Sequence, residues 1–232
     1  MPLPLDIQNL KIRRGAFTLD IPRLTVDSGV IVGLVGRNGA GKTTLFDAIG
    51  GFIAPDAGSL STFDLDPIRD VVAQRRKVAL MTDDMPIFDM TIGGLMRAVA
   101  PFYPTWDADL VGTLVDRFQL RAGQKVSALS KGEGTRVRLV LSLAWRPALL
   151  LLDEPGTGLD VPSRRAMLAE VLSIVRDPSR TVFFSSHNAE DVERIADRVV
   201  LLDKGKIVAD GATSDVVGEG RTLEEVLAGS GV

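Results

Sequence analysis

Nine consecutive residues, Gly36-Arg37-Asn38-Gly39-Ala40-Gly41-Lys42-Thr43-Thr44, constrain this 232-residue chain more than any other segment. They follow Val30-Ile31-Val32-Gly33-Leu34-Val35, a largely β-branched run suited to a strand buried on both faces. They open the stretch Thr43 to Ile49, whose apolar residues recur at helical spacing before Gly50-Gly51. Strand, glycine-rich turn and helix in that order place the pattern G-x-x-x-x-G-K-[ST] where it has a physical meaning. Glycines let successive backbone N–H groups turn inward around phosphates, and the helix N-terminus adds its positive end. Lys42 then reaches the β/γ-phosphates and the Thr43 hydroxyl ligates Mg²⁺. All nine residues are candidate nucleotide-binding positions.

The rest of the chain reads as an alternation of strands and helices. Leu149 to Leu152, Thr181 to Ser185 and Val199 to Leu202 are further buried-type strands, which implies a parallel sheet covered on both faces. The alternating stretch Pro4 to Val26, interrupted by Arg13-Arg14-Gly15, predicts an antiparallel hairpin. Between Thr91 and Trp145 helical spacing replaces the β-type runs, as expected of an inserted lobe, and Thr222 to Leu227 predicts a terminal helix. The strand Leu149 to Leu152 ends in Asp153 and Glu154. Beside a phosphate loop such a pair supplies one carboxylate to Mg²⁺ and one to the attacking water, and we assign Asp153 to the first and Glu154 to the second.

Composition removes several classes of function. A formal net charge of -3 gives no footprint for nucleic acid, so no nucleic-acid partner is expected. The absence of cysteine excludes disulfides, zinc ribbons and thiol nucleophiles, and one histidine argues against most His-built metal sites. The most apolar stretch, Leu139 to Leu152, falls short of the ~20 residues of a spanning helix and is broken by Arg146 and Pro147. The start of the chain lacks the basic and apolar regions of a secretory signal, so a cytoplasmic location is expected.

Leu129-Ser130-Lys131-Gly132-Glu133 stands about twenty residues before the carboxylate pair. With this segment in that place, the chain resembles the ATP-binding cassette (ABC) ATPases over essentially its whole length, including a D-loop at Gly158-Leu159-Asp160 and a switch histidine at His187. The resemblance implies an α/β, RecA-like P-loop NTPase: a parallel sheet with helices on both faces, an N-terminal antiparallel β-subdomain and an inserted α-helical lobe. In one domain spanning 1–232, the core and β-subdomain would occupy 1–84 and 148–215, the lobe 85–147 and a C-terminal helix 216–232. It also implies Mg²⁺-dependent ATP hydrolysis, with Lys42 neutralising charge, Glu154 activating water and His187 contacting the γ-phosphate.

Further implications concern partners. In the family the signature, here Ser130, Lys131, Gly132 and Glu133, faces an ATP held by the opposing subunit, so a head-to-tail dimer of two identical or related chains is expected. Ser130-x-x-Glu133 is also a capping box, and both uses are compatible. Lys131 can add a phosphate or ribose contact, whereas Glu133 brings a negative charge. The family's Q-loop glutamine falls near Asp83, which offers an oxygen to Mg²⁺; for the residue stacked on adenine, Arg14 and Phe17 are the candidates. Four of the six methionines, Met81, Met85, Met90 and Met96, lie in the segment that in this family lines the groove for a membrane subunit. Tyr103-Pro104-Thr105-Trp106-Asp107 and the compact lobe are similar to bacterial exporter ATPases. The expected protein is thus a peripheral subunit on the inner face of the membrane, powering a separately encoded exporter. A soluble ABC ATPase without transport and a regulatory subunit with weak hydrolysis are the alternatives.

Overall fold

The structure, a computed structural model, describes residues 2–230. Met1, Gly231 and Val232, which bound the expected domain and C-terminal helix, lie outside the described residues. Strands β1 (Leu5–Arg14) and β2 (Phe17–Val26) form the expected hairpin, with Arg14 paired to Phe17 across the turn. Strand β3 (Ile31–Val35) leads into α1 (Lys42–Ile49), and β4 (Ala57–Ser61) returns to pair antiparallel with β1. A short helix α2 (Val71–Arg75) precedes β5 (Val78–Met81). Then come α3 (Ile92–Val99), α4 (Ala108–Arg117) and α5 (Lys131–Leu143), the helices of region 85–147. The chain returns through β6 (Leu149–Leu152), α6 (Val161–Ile174), β7 (Thr181–Ser186), α7 (Ala189–Ile195) and β8 (Arg198–Asp203). It ends with β9 (Lys206–Ala212), α8 (Thr213–Val217) and α9 (Leu223–Ser230).

The central sheet runs β5-β6-β7-β3-β8-β9, parallel except for the outer β9, and a second sheet runs β2-β1-β4. Successive residues of the central strands enter two separate cores. Ile31, Leu150, Val182 and Val199 face the helices α3 to α7, while Val32, Leu151, Phe183 and Val200 face α1 and the antiparallel sheet. Burial on both faces is why these strands are continuous apolar runs. On the second face the expected antiparallel β-subdomain, chiefly the β1–β2 hairpin, covers the sheet together with α1. At Gly33, a Cβ would lie 2.3 Å from Cγ1 of Val192, so the close seating of α7 on β3 requires glycine there.

Three strands carry no clear signal in the sequence. Strand β4 buries only Leu60 and the edge strand β9 buries no residue, so neither carries an apolar signature. Strand β5 has only four residues. The expected helix over 216–232 is also corrected: Gly218 and Gly220, at φ 74° and 72°, separate α8 from α9.

Side-chain caps fix the lobe helices. Asp107 accepts from the Leu110 amide at 2.8 Å to start α4 and pairs with Arg146. Tyr103 stacks on Trp145 at 4.6 Å and the Thr105 hydroxyl donates to the Trp145 carbonyl at 2.6 Å, which fastens the start of α4 to the end of α5. Arg117 of α4 forms an ion pair with Glu170 of α6. At α5 the capping box is complete: the Glu133 amide donates to Ser130 Oγ at 3.3 Å and the Ser130 amide to Glu133 Oε2 at 2.8 Å.

Two predictions follow from this packing. Phe183 is fully buried with its ring edge-on to Phe46 at 5.1 Å, and Phe183→Ala should lower stability by about 3–5 kcal/mol, read as a reduced midpoint in urea unfolding. The backbone amide of Ser130, followed by its hydroxyl, holds the Glu133 carboxyl below the usual carboxylate range. A depressed folded pKa stabilises above the unfolded value of ~4.3, and that contribution is lost as pH falls through the folded value. Glu133→Gln should therefore cost roughly 0.3–1 kcal/mol at pH 7, and the gap to wild type should close in acid. Urea midpoints for both proteins between neutral pH and the acid range test this.

Candidate nucleotide site

Parallel pairing brings the carboxyl ends of β3, β6 and β7 side by side, with Val35 opposite Ser186 and Leu152 opposite Phe184. In open α/β sheets this edge is where ligands bind. The loop 36–41 leaves β3 here. Its last residue, Gly41, sits at φ 110° as the N-cap of α1, and a Cβ there would lie 2.7 Å from Cζ of Phe17. Glycine is thus required twice, for the backbone angle and for the space. Gly41 has no side chain with which to cap α1, so the first amides of the helix point into the loop.

Lys42, buried to 7% exposure, donates from Nζ to the Gly36 carbonyl at 2.7 Å and lies 3.3 Å from Glu154 Oε1. Thr43 Oγ1 donates to Asp153 Oδ2 at 2.6 Å. Asp153 is anchored on both sides, since its amide donates to the Met81 carbonyl at 2.8 Å and its Oδ1 accepts from the Ser185 hydroxyl at 2.6 Å. Glu154 adopts φ 50°, a left-handed turn directly after β6 that turns its side chain back over the loop. Its Oε2 receives both the His187 amide, at 3.2 Å, and His187 Nδ1, at 2.7 Å. The loop, the carboxylate pair and the histidine of the sequence reading thus meet at one point.

An open cleft of about 400 Å³ lies over the loop, lined by residues 37–39 and 41–44, with Phe17 and Glu154 on its walls. Gly36 lines a neighbouring depression with Arg37, Asn38 and His187, and Ala40 is buried beneath the loop. Of the two residues considered for adenine, Phe17 is on the cleft wall. Arg14 is exposed and outside the lining, and its charge acts on Asp47 instead. Burial first, and then the charge of Asp153, push the Asp47 carboxyl above its ordinary value, with Arg14 opposing. Burial likewise raises Asp191 on α7, against the opposing charge of Arg164.

Asp83 is the residue expected at the Q-loop position. Its carboxylate turns to Lys131 Nζ, 2.8 Å away, rather than to Thr43 and Asp153. Ser130 and Glu133 form the cap described above, a Cβ at Gly132 would lie 3.1 Å from the Gly158 carbonyl oxygen, and Asp160 caps α6 through the Ser163 amide at 2.8 Å. In the methionine segment, Met81 and Met96 are core residues. Met85 and Met90 are half-buried, while Phe88 between them is 74% exposed. Ser185 and Asp47 were missed by sequence reasoning. For Ser185 a signal existed: a polar residue directly after the apolar run Val182 to Phe184, two positions before His187.

Comparison with known proteins follows the same lines. A family model described as ABC transporter matches residues 19–157. The thiamine import ATP-binding protein ThiQ of Jannaschia sp. is 34% identical over 220 residues, 92% of this chain and 95% of the relative. The phosphate import ATP-binding protein PstB 2 of Natronomonas pharaonis is 31% identical over 220 residues, 87% of this chain and 77% of the relative. A solved structure described as the ATP binding subunit of an ABC transporter matches with a TM-score of 0.90 at 26% identity, covering 98% of this chain and 99% of that one. Both curated relatives are named for import, so the expectation of an exporter finds no support in them.

Proposed function

Since the chain belongs to the ABC transporter family of ATPases, we propose that it is the ATP-hydrolysing subunit of a transporter, driving a separately encoded membrane subunit from the cytoplasmic side. The observation that carries this reading is the convergence at one sheet edge of two contact groups, Thr43 with Asp153 at 2.6 Å and Glu154 with both Lys42 at 3.3 Å and His187 at 2.7 Å. Two carboxylates at the end of one strand have different partners there, and therefore different work.

Thr43 and Asp153 fit Mg²⁺. Both offer hard oxygens, Asp153 is buried at 8% exposure, and their 2.6 Å contact points both oxygens at one locus beside the loop. Mg²⁺ characteristically takes one or two protein oxygens and completes its shell with phosphate and water; among the described residues no larger cluster of acidic and histidine ligands exists. When bound it would neutralise charge on the β- and γ-phosphates. The protein's own groups do the remainder. Lys42 and the loop amides hold the phosphates, and Phe17 provides an apolar wall for the base. Glu154 orients water and takes its proton through a carboxylate whose direction is fixed by His187.

The remaining expectations belong to the same proposal. A core with β-subdomain over 1–84 and 148–215 carries the lobe 85–147. Two chains, identical or related, pair so that Ser130, Lys131, Gly132 and Glu133 at the start of α5 face the nucleotide of the other, with Asp160 beside them. The membrane subunit docks over the segment from Met81 to Met96, of which residues 84–90 contribute the exposed side chains, Phe88 foremost.

Glu154→Gln tests the chemistry. The variant should bind ATP, lose turnover by about 100- to 10,000-fold and accumulate as an ATP-bound dimer in size-exclusion chromatography. Lys42→Ala, as the control, should lose nucleotide binding itself. Hydrolysis by Glu154→Gln at the wild-type rate would remove Glu154 from its assigned role.

A further inference from the structure

Ser185 is a side chain that neither the family resemblance nor the relatives assign. It is fully buried, 0% exposed, on β7, in the run Thr-Val-Phe-Phe-Ser-Ser that continues into His187. The register Leu152 to Phe184 brings the next residue of β6, Asp153, beside Ser185, while Leu34 of β3 flanks it on the other side. A hydroxyl placed among such neighbours is costly unless both its donor and its acceptor are used. Here both are used, and on functional atoms. Oγ donates to Asp153 Oδ1 at 2.6 Å and accepts from the Glu154 amide at 2.8 Å.

One hydroxyl therefore touches both members of the carboxylate pair. With Oδ1 held by Ser185, the Asp153 carboxylate can turn neither in plane nor about its stem without breaking a short bond, and Oδ2 stays directed at Thr43 Oγ1. The second bond fixes the amide of Glu154 at the residue that takes the left-handed φ of 50°. We propose that Ser185 is a positioning residue: it presents Asp153 to Mg²⁺ and pins the turn from which Glu154 reaches over the loop. The inference rests on the reading of Thr43 and Asp153 as the Mg²⁺ ligands. Partners of this kind, bonded to a metal ligand rather than to the metal, alter metal affinity by about 10- to 100-fold when removed.

Threonine and valine at this position have nearly the same shape and differ in the hydroxyl, which separates bonding from packing. Binding of a fluorescent ATP analogue would be titrated against Mg²⁺ under conditions without turnover, alongside binding in EDTA and the melting temperature. Ser185→Val and Ser185→Ala should raise the Mg²⁺ concentration for half-maximal binding by about 10- to 100-fold, leave binding in EDTA unchanged and lower kcat. Ser185→Thr should restore the wild-type midpoint. Equal midpoints for the threonine and valine variants would overturn the proposal, as would a wild-type midpoint in Ser185→Ala; if alanine does not fold, the threonine and valine pair decides alone. Asp153→Asn provides the separate check on the underlying reading. If that variant keeps the wild-type Mg²⁺ midpoint, Asp153 is not the ligand and the role of Ser185 falls with it, whereas a shift in Asp153→Asn without one in Ser185→Val overturns the Ser185 role alone.

Discussion

Asp153 is the joint on which the site depends. Its side chain accepts from Thr43 at the start of α1 and from Ser185 at the end of β7, and its amide donates to the end of β5. Four segments of chain are thereby tied at one residue. The tie is possible only because the central strands run parallel and are buried on both faces, so that polar groups are confined to their ends. Two apolar cores of opposite facing hold the strands in register, and the register sets which polar residues become neighbours. A slip of β7 by one residue would bring Ser186 rather than Ser185 beside Asp153 and turn its side chain to the other face.

A second set of contacts surrounds α5. Lys131 at its first position reaches Asp83, and Arg138, two turns on, donates from Nε to the Met85 carbonyl at 2.8 Å. Both departures from the usual family pattern, an aspartate for the Q-loop glutamine and a lysine inside the signature, thus explain each other as partners in one ion pair. The pair is part-exposed and contributes roughly 0.2–1 kcal/mol at most. Its significance is geometric, because it fixes the segment carrying Met85 and Phe88 to the helix whose N-terminus holds Ser130 and Gly132.

The candidate site is legible in the sequence where local chemistry dictates it. The phosphate loop, the strand ending in Asp153 and Glu154, and the cap at Ser130 each rest on residues adjacent in the chain. The hairpin and the buried strands were legible for the same reason. What was not legible depends on pairing between distant segments. The partner of Asp83 lies 48 positions away at Lys131, and nothing local distinguishes a metal-facing aspartate from an ion-paired one. Met81 and Met96 read as a soft groove because methionine suits grooves and cores alike, and only packing shows them to be core. Strands β4 and β9 carry no signal because edge strands bury little, whereas the terminal helix expected over Thr222 to Leu227 is α9 and only the wider bound at 216 crosses the two glycines.

The pairing of Lys42 with Glu154 and of Thr43 with Asp153 has a consequence for what the loop will accept. Each donor already has an anionic acceptor within the protein, so a ligand enters by exchange rather than by simple addition. A neutral nucleoside offers nothing that outbids a carboxylate for the lysine, and a monophosphate reaches too little of the loop to replace both partners. On the proposed reading, Thr43 and Asp153 would hold the divalent cation of a polyphosphate and Lys42 its anion, which would free Glu154 from the lysine. Entry of the polyphosphate and freeing of the proposed base would then be a single displacement.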